Sequence, residues 1–251
     1  NIFLKKNIIF FIFFIIYNLY IKSILVICIM EHNINKINIG VLKKIFPQEN
    51  CKDINNLKYD KEGLWSISHP DSADTLTTNI IDFNLNIKTI CDMTASIGGN
   101  TLSFAKCFEN VISIECNKIR FQYLQNNINS YNYKNIILFN DDSTNLIKNL
   151  KYQIDAVFID PPWGGPNYKK EDNIEIKLGS YKLDEIINIL KNFSYKNNKI
   201  KLVIFKLPFN YDYNQTIIKN SLQNFKILKE GNINYLFINL HDNKTANMLS
   251  C

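Results

Sequence analysis

From Lys88 onward the chain alternates short apolar runs with longer stretches whose apolar positions recur at helical spacing. That alternation marks a parallel sheet with helical crossovers. It predicts strands at 88–93 (KTICDM), 110–115 (NVISIE), 135–140 (NIILFN), 154–160 (IDAVFID), 200–207 (IKLVIFKL), 225–230 (FKILKE) and 234–240 (NYLFINL). Helices fit near 100–109, 117–130, 144–150, 182–193 and 213–223. The link after Glu230, GNIN, is too short for a crossover helix, so the last two strands form an antiparallel hairpin. No internal repeat interrupts the pattern.

Upstream, residues Ile8 to Ile29 are almost wholly apolar, broken only by Asn18, Lys22 and Ser23. Such a run is long enough to span a bilayer, which makes a membrane anchor one reading. The other is an upstream extension that plays no part in the fold. The chain starts with Asn, its first Met is Met30, and the run is nearly all Ile, Phe, Asn, Lys and Tyr, as AT-rich DNA gives when translated ahead of a true start. The second reading is favoured here. The expected organisation is this run at 1–29, a helical extension at 30–84, the main domain at 85–242 and a tail at 243–251.

Composition narrows the picture a little. With 251 residues and 46% hydrophobic content, the chain holds one α/β domain with some extra. A net charge of +6 suits a polyanionic partner without demanding one. Six cysteines show no CxxC pair and only three histidines accompany them, so a metal site is not expected. Cys91 and Cys107 read as small buried hydrophobes, and the cysteine pattern suits a reducing, intracellular compartment.

Four motifs sit at the ends of predicted strands. DMTASIGGNT, Asp92 to Thr101, puts an acid and then a tight glycine loop before a helix. Gly98 and Gly99 let backbone approach a ligand and leave the helix's first N–H groups available, although an ordinary strand-to-helix turn looks the same. Glu115 ends the second strand about 20 residues further on, where a carboxylate can accept both hydroxyls of a ribose. Asp141 and Asp142 end the third, in reach of an adenine amino group. Together these acids line the strand edge at which open α/β sheets bind ligands.

The fourth motif is FIDPPWGGPNY, Phe158 to Tyr168. Two prolines fix the backbone so that Asp160 and the Pro161 carbonyl point outward as adjacent acceptors. Such acceptors orient an amine and draw its protons. Trp163 offers a flat face for a base, with a cation–π gain if the base is positive, and Gly164 and Gly165 leave room for it. A Pro- and Gly-rich turn is the bland alternative, set against the three cofactor motifs upstream.

With these motifs in this order, the chain resembles the RNA cap guanine-N2 methyltransferase family, the trimethylguanosine synthases. Members carry D-x-E-G-W-F/Y-S-V-T-P-E-x-I-A, and this chain has DKEGLWSISHPDSA from Asp60 to Ala73. The family loop D-x-x-x-G-x-G-G-N-T aligns with DMTASIGGNT, and PPWGGP-x-Y is matched in full from Pro161 to Tyr168. The resemblance covers residues 58–240. It implies a class I S-adenosylmethionine-dependent methyltransferase: a Rossmann-like seven-stranded mixed sheet with a reversed last strand, and a small N-terminal helical extension over the cofactor and cap pocket. The implied reaction transfers methyl from S-adenosylmethionine to N2 of a 7-methylguanosine RNA cap, giving di- or trimethylguanosine.

By the same resemblance, Ser66, Ser68, Asp92, Gly98, Glu115, Asp142 and Asp160 hold the cofactor. Asp160, Pro161 and Trp163 form the catalytic strip, with Trp163 stacking on the cap base, and Asn127 lies near that base. Capped RNA is the implied partner, bound by a monomer in nucleus or cytoplasm without metal, and without a membrane unless the 1–29 run is real. Some positions depart from the pattern. Ser96 replaces a loop Gly, His69 a Pro, and Asp160 a residue that is Ser in animal members. After the fifth strand the family's P-R-N reads Pro208, Phe209, Asn210. With that Arg missing, phosphate binding is expected of Lys206, Lys169 or Lys170. Two alternatives stay open: a guanine-N2 or adenine-N6 methyltransferase for other RNA or DNA, and a non-catalytic RNA-binding module of the same fold.

Overall fold

The computed structural model describes residues 38–171 and 173–240. The expected apolar run and the tail at 243–251 lie outside them. The chain has two units, residues 1–42 and 43–251, and α1 is a short helix at Ile39–Ile45. Among the described residues no helix is long and apolar enough to cross a membrane.

Seven strands form one sheet: β1 (Thr89–Asp92), β2 (Asn110–Ile114), β3 (Ile136–Phe139), β4 (Ala156–Ile159), β5 (Leu202–Pro208), β6 (Phe225–Glu230) and β7 (Ile233–Asn239). Their spatial order is β6-β7-β5-β4-β1-β2-β3. β7 runs antiparallel to both its neighbours and every other pair is parallel. This is the mixed sheet with a reversed last strand that the alternation and the resemblance implied. Every residue of β1, β4 and β5 is buried because helices cover both faces of a parallel sheet. The edges differ. β3 is half-buried throughout, and β6 presents Lys226 and Lys229, charges that discourage pairing with another chain.

The helices are α2 (Lys61–Ser66), α3 (Pro70–Ile81), α4 (Gly99–Cys107), α5 (Lys118–Asn129), α6 (Ser143–Leu146), α7 (Leu183–Lys191) and α8 (Tyr213–Lys219). α7 shows why one face turns inward. Leu183, Ile186, Ile187 and Leu190 fall on a single stripe, and all are buried among Cys91, Ile112, Val157 and Phe205 of the sheet. On the opposite face, Leu76 and Ile80 of α3 join Phe104 of α4 over Ile90, Val111, Phe158, Ile204 and Phe237. Polar bonds lock α3 to α4: the Thr77 and Ser103 hydroxyls lie 2.7 Å apart, and Lys106 Nζ donates to Asp74 Oδ2 at 2.7 Å. α3, read from sequence as part of an extension, is thus one of the helices that cover the sheet.

Two features differ from the sequence reading. The link between β4 and β5 carries two small hairpins, Lys177–Leu178 with Tyr181–Lys182 and Ser194–Tyr195 with Asn198–Lys199. Lys196 and Asn197 both adopt positive φ, the turn that suits a two-residue hairpin, and two-residue strands are too short to give a periodic signal. Cys107, expected to be buried, is exposed at the last position of α4, whereas Cys91 in β1 is buried and its thiol pKa is pushed up by that burial.

Candidate active site

Asp155 fixes the amino ends of the central strands, accepting from the Lys88 and Thr89 N–H groups at 2.9 and 3.0 Å and from Lys201 Nζ at 2.9 Å. The opposite, carboxyl ends carry the expected site residues. Asp92 ends β1 and is only 1% exposed. It accepts from the Thr94 N–H at 3.2 Å and from the Thr101 hydroxyl at 2.8 Å, and Thr101 in turn lies 2.9 Å from the Ser113 hydroxyl. Burial pushes the Asp92 pKa up to about 7. The Thr101 and Thr94 bonds oppose the rise, and the neighbouring Asp160 and Glu115 charges add to it.

The loop from Asp92 into α4 passes through two left-handed residues, Ser96 (φ 49°) and Gly98 (φ 107°). The first is costly for serine, and its N–H donates to Glu115 Oε2 at 3.0 Å. Glu115 also accepts from the Asn117 N–H at 2.8 Å, so both its oxygens are aimed from the tip of β2. Asp142 caps α6, taking the Thr144 N–H at 2.8 Å and the Thr144 hydroxyl at 2.6 Å. These three acids stand after β1, β2 and β3, as their spacing implied.

The segment before β1 lies across this loop. Gly99 is needed for that crossing, since a Cβ there would stand 2.6 Å from Ile67 Cγ1 and 2.9 Å from the Ser68 carbonyl oxygen. Ser66 and Ser96 place their hydroxyls 3.2 Å apart. Ser68 accepts from Asn100 Nδ2 and from Lys206 Nζ, each at 3.0 Å. The structure therefore brings Ser66 and Ser68 to the glycine loop.

Asn127 differs from its expected place beside a base. It is fully buried, takes the Lys58 N–H at 2.7 Å, and donates to the Lys58 and Ile97 carbonyls at 2.8 and 3.0 Å. With the Asn126 amide also on its oxygen at 3.3 Å, its bonding capacity is filled. It clamps the extension to the glycine loop, and no polar atom is left for substrate.

After β4 the Pro–Pro–Trp turn begins. The Asp160 N–H donates to Thr94 Oγ1 at 2.7 Å, Pro161 is buried and Trp163 is half-buried. Trp163 is held by its Nε1–H, which donates to the Lys206 carbonyl at 3.3 Å, and by Tyr168, edge-to-face at 5.2 Å. Gly164 and Gly165 both adopt φ 84° with open space where a Cβ would be. Asn210, following Phe209, ties this turn to β5 through bonds from its amide to the Tyr168 and Glu171 carbonyls at 2.7 Å each.

Lys206 also departs from its expected role. Its ammonium, expected at cap phosphates, turns inward from a residue only 6% exposed and donates to Asp160 Oδ2 at 2.7 Å. Burial raises the Asp160 pKa and Lys206 opposes the rise. Lys169 and Lys170 remain exposed on the turn Pro166–Lys170. Sequence reasoning missed the roles of Asn100 and Thr101, although both stand in the quoted GGNT. Asn100 keeps a buried Oδ1 with no partner among the described residues, an acceptor suited to a donor-bearing ligand. That acceptor and three carboxylates fit a cofactor that carries an ammonium, a sulfonium and a ribose diol. Among the described residues no three His, Cys, Asp or Glu side chains gather as a metal group.

Acids at successive strand tips, on a doubly wound sheet whose last strand is reversed, place the chain among the class I S-adenosylmethionine-dependent methyltransferases. The solved Thermus thermophilus 16S rRNA N2 G1207 methyltransferase, in complex with AdoMet and guanosine, shares this fold. Its TM-score is 0.50 at 15% identity, over 72% of this chain and 43% of that one. Residues 87–250 match the model of the RNA cap guanine-N2 methyltransferases, and the chain belongs to that family. Among its relatives, an uncharacterized protein of Acanthamoeba polyphaga mimivirus is 35% identical over 210 residues, 74% of this chain and 78% of that one. Trimethylguanosine synthase of Schizosaccharomyces pombe is 28% identical over 176 residues, 65% of this chain and 70% of that one.

Proposed function

We propose that this methyltransferase acts on the guanine N2 of a 7-methylguanosine RNA cap, giving di- or trimethylguanosine. The observation that carries the proposal is the turn from Asp160 to Tyr168, where a fixed, half-buried Trp163 and a carboxylate at the carboxyl end of β4 are both bonded to Lys206. Family membership and the trimethylguanosine synthase relative support the same substrate.

In this reading Glu115 accepts the ribose hydroxyls of S-adenosylmethionine and Asp142 its adenine amine. Asp92, the Gly98 turn, Ser66 and Ser68 surround the amino-acid end. The part of the helical extension that lies in the second unit, residues 43–84, covers the cofactor and forms one wall of the cap pocket. S-adenosylmethionine supplies an electrophilic methyl. Trp163 stacks the cationic base, while Asp160 and the Pro161 carbonyl orient its exocyclic amine. That methyl would be taken by the lone pair of the amine, and Asp160 would accept the proton that the nitrogen sheds. Positioning is the main contribution, since holding nitrogen and methyl near attack distance replaces a bimolecular encounter. Lys169 and Lys170 remain to meet the cap phosphates, and the protein works as a monomer wherever capped RNA is present, in nucleus or cytoplasm.

The deciding test is incubation with labelled S-adenosylmethionine and cap dinucleotides with and without the N7 methyl. Transfer confined to the N7-methylated dinucleotide is expected. Equal transfer to both, or transfer only to longer RNA or DNA, replaces the cap reading with that of a base-flipping methyltransferase. Cofactor binding with no transfer to any of them points to a binding module.

A further inference from the structure

One cation in this site is committed to a carboxylate rather than to solvent. Lys206 Nζ lies 2.7 Å from Asp160 Oδ2 and 3.0 Å from Ser68 Oγ, and its side chain is 7% exposed against 16% for Asp160. Its backbone carbonyl holds the Trp163 indole, and its ammonium stands 5.9 Å from that ring. A single residue of β5 thus touches the carboxylate, the stacking ring and the segment that crosses the glycine loop.

We infer that Lys206 is a positioning residue for methyl transfer, keeping Asp160 ionised and aimed so that it accepts the proton of the incoming amine. This rests on Asp160 being that acceptor. The physical ground is the carboxylate's surroundings. From β1 it faces Asp92, a second acid, and from β7 the buried Tyr235 hydroxyl, whose pKa is raised first by burial, then by Glu230 and by Asp160. Tyr235 lies directly opposite Lys206 in the β5–β7 pairing. Of the charged groups facing Asp160 in the described structure, Lys206 alone favours its ionised form. Without it, burial pushes the carboxyl further toward its protonated form, and a protonated carboxyl cannot take the amine's proton. Ser68, on the segment that crosses the glycine loop, holds the ammonium from the other side of the site.

Two measurements test this, one of them independent of substrate. In Lys206→Met the acid limb of the kcat–pH profile for the 7-methylguanosine cap dinucleotide moves to higher pH by about 1–3 units, the effect of losing an opposite charge at this range. Lys206→Arg restores part of the shift. A uniform fall in kcat with the acid limb unmoved overturns the inference and leaves Lys206 a packing residue. The second measurement is thermal unfolding at neutral pH without cofactor. Lys206→Met lowers the midpoint, and adding Asp160→Asn recovers most of the loss, because the stranded buried carboxylate is gone. No recovery in the double variant also overturns it. If the native protein methylates some other nucleic acid and not the cap, the proposed substrate fails, yet both measurements still judge Lys206, the first with that acceptor.

Discussion

Two carboxylates share the edge of the sheet, and their partners set them apart: Asp160 has a cation at 2.7 Å, whereas Asp92 has only hydroxyl and N–H donors. Because the folded pKa of Asp92, about 7, lies above that of an unfolded aspartate, the native state holds this proton more tightly. Its contribution to stability is full below about pH 4 and is lost as pH rises to about 7. The unfolding temperature of the cofactor-free protein should therefore fall from about pH 5 to pH 8, and fall less in Asp92→Asn. Equal slopes in the two proteins remove Asp92 as the source. A cationic ligand favours the ionised form, so affinity for S-adenosylmethionine should rise through that range in the native protein and stay level in Asp92→Asn. For Trp163→Ala, cap affinity should drop by about 1–3 kcal/mol, more for N7-methylated than for unmethylated guanine because only the former brings charge to the ring. Titration calorimetry with the two cap analogues reads that difference directly, and an equal loss for both sinks the cation–π component.

At the scale of elements, the glycine loop and the segment across it behave as one piece. Gly99→Ala puts a methyl 2.6 Å from Ile67 and 2.9 Å from a backbone oxygen that cannot rotate away. The expected cost is about 1–3 kcal/mol of stability, as for overpacking, with weakened cofactor binding. Denaturant titration showing native stability would mean that the segment does not cross the loop this closely. Asn127→Ala strands three backbone groups of Lys58 and Ile97, so the unfolding midpoint should fall while the KM of the folded enzyme for cap changes little. A large rise in KM at unchanged stability returns Asn127 to the substrate pocket. The strands were legible because a buried parallel strand is a continuous apolar run, and the acids at their ends followed from spacing alone. Asn127 and Lys206 were not. A lone polar residue in a sequence gives no sign of whether it faces solvent or a partner 69 or 46 residues away. The small hairpins before and after α7 were lost for a different reason, since four paired residues carry no period.

For the molecule as a whole, both hydrophobic layers and every site residue from Ser66 to Lys206 belong to the unit at 43–251. A chain beginning at Met30 should accordingly fold and bind S-adenosylmethionine with native affinity. Failure of that chain to fold, where the longer one folds without lipid, shows that the first 29 residues are required. The sheet order carries a consequence for how such a chain is made. Among the described residues β7 is the last strand in sequence, yet it lies between β5 and β6 instead of at an edge. Until residues 233–239 leave the ribosome, β5 has one open side and Tyr235 is not yet opposite Lys206. A nascent chain lacking this strand exposes a seven-residue, mostly apolar strand edge beside its site residues, a template for pairing with other chains. Stalled or prematurely terminated copies should aggregate rather than act as weak enzymes, so synthesis itself keeps half-made methyltransferase from competing for cofactor.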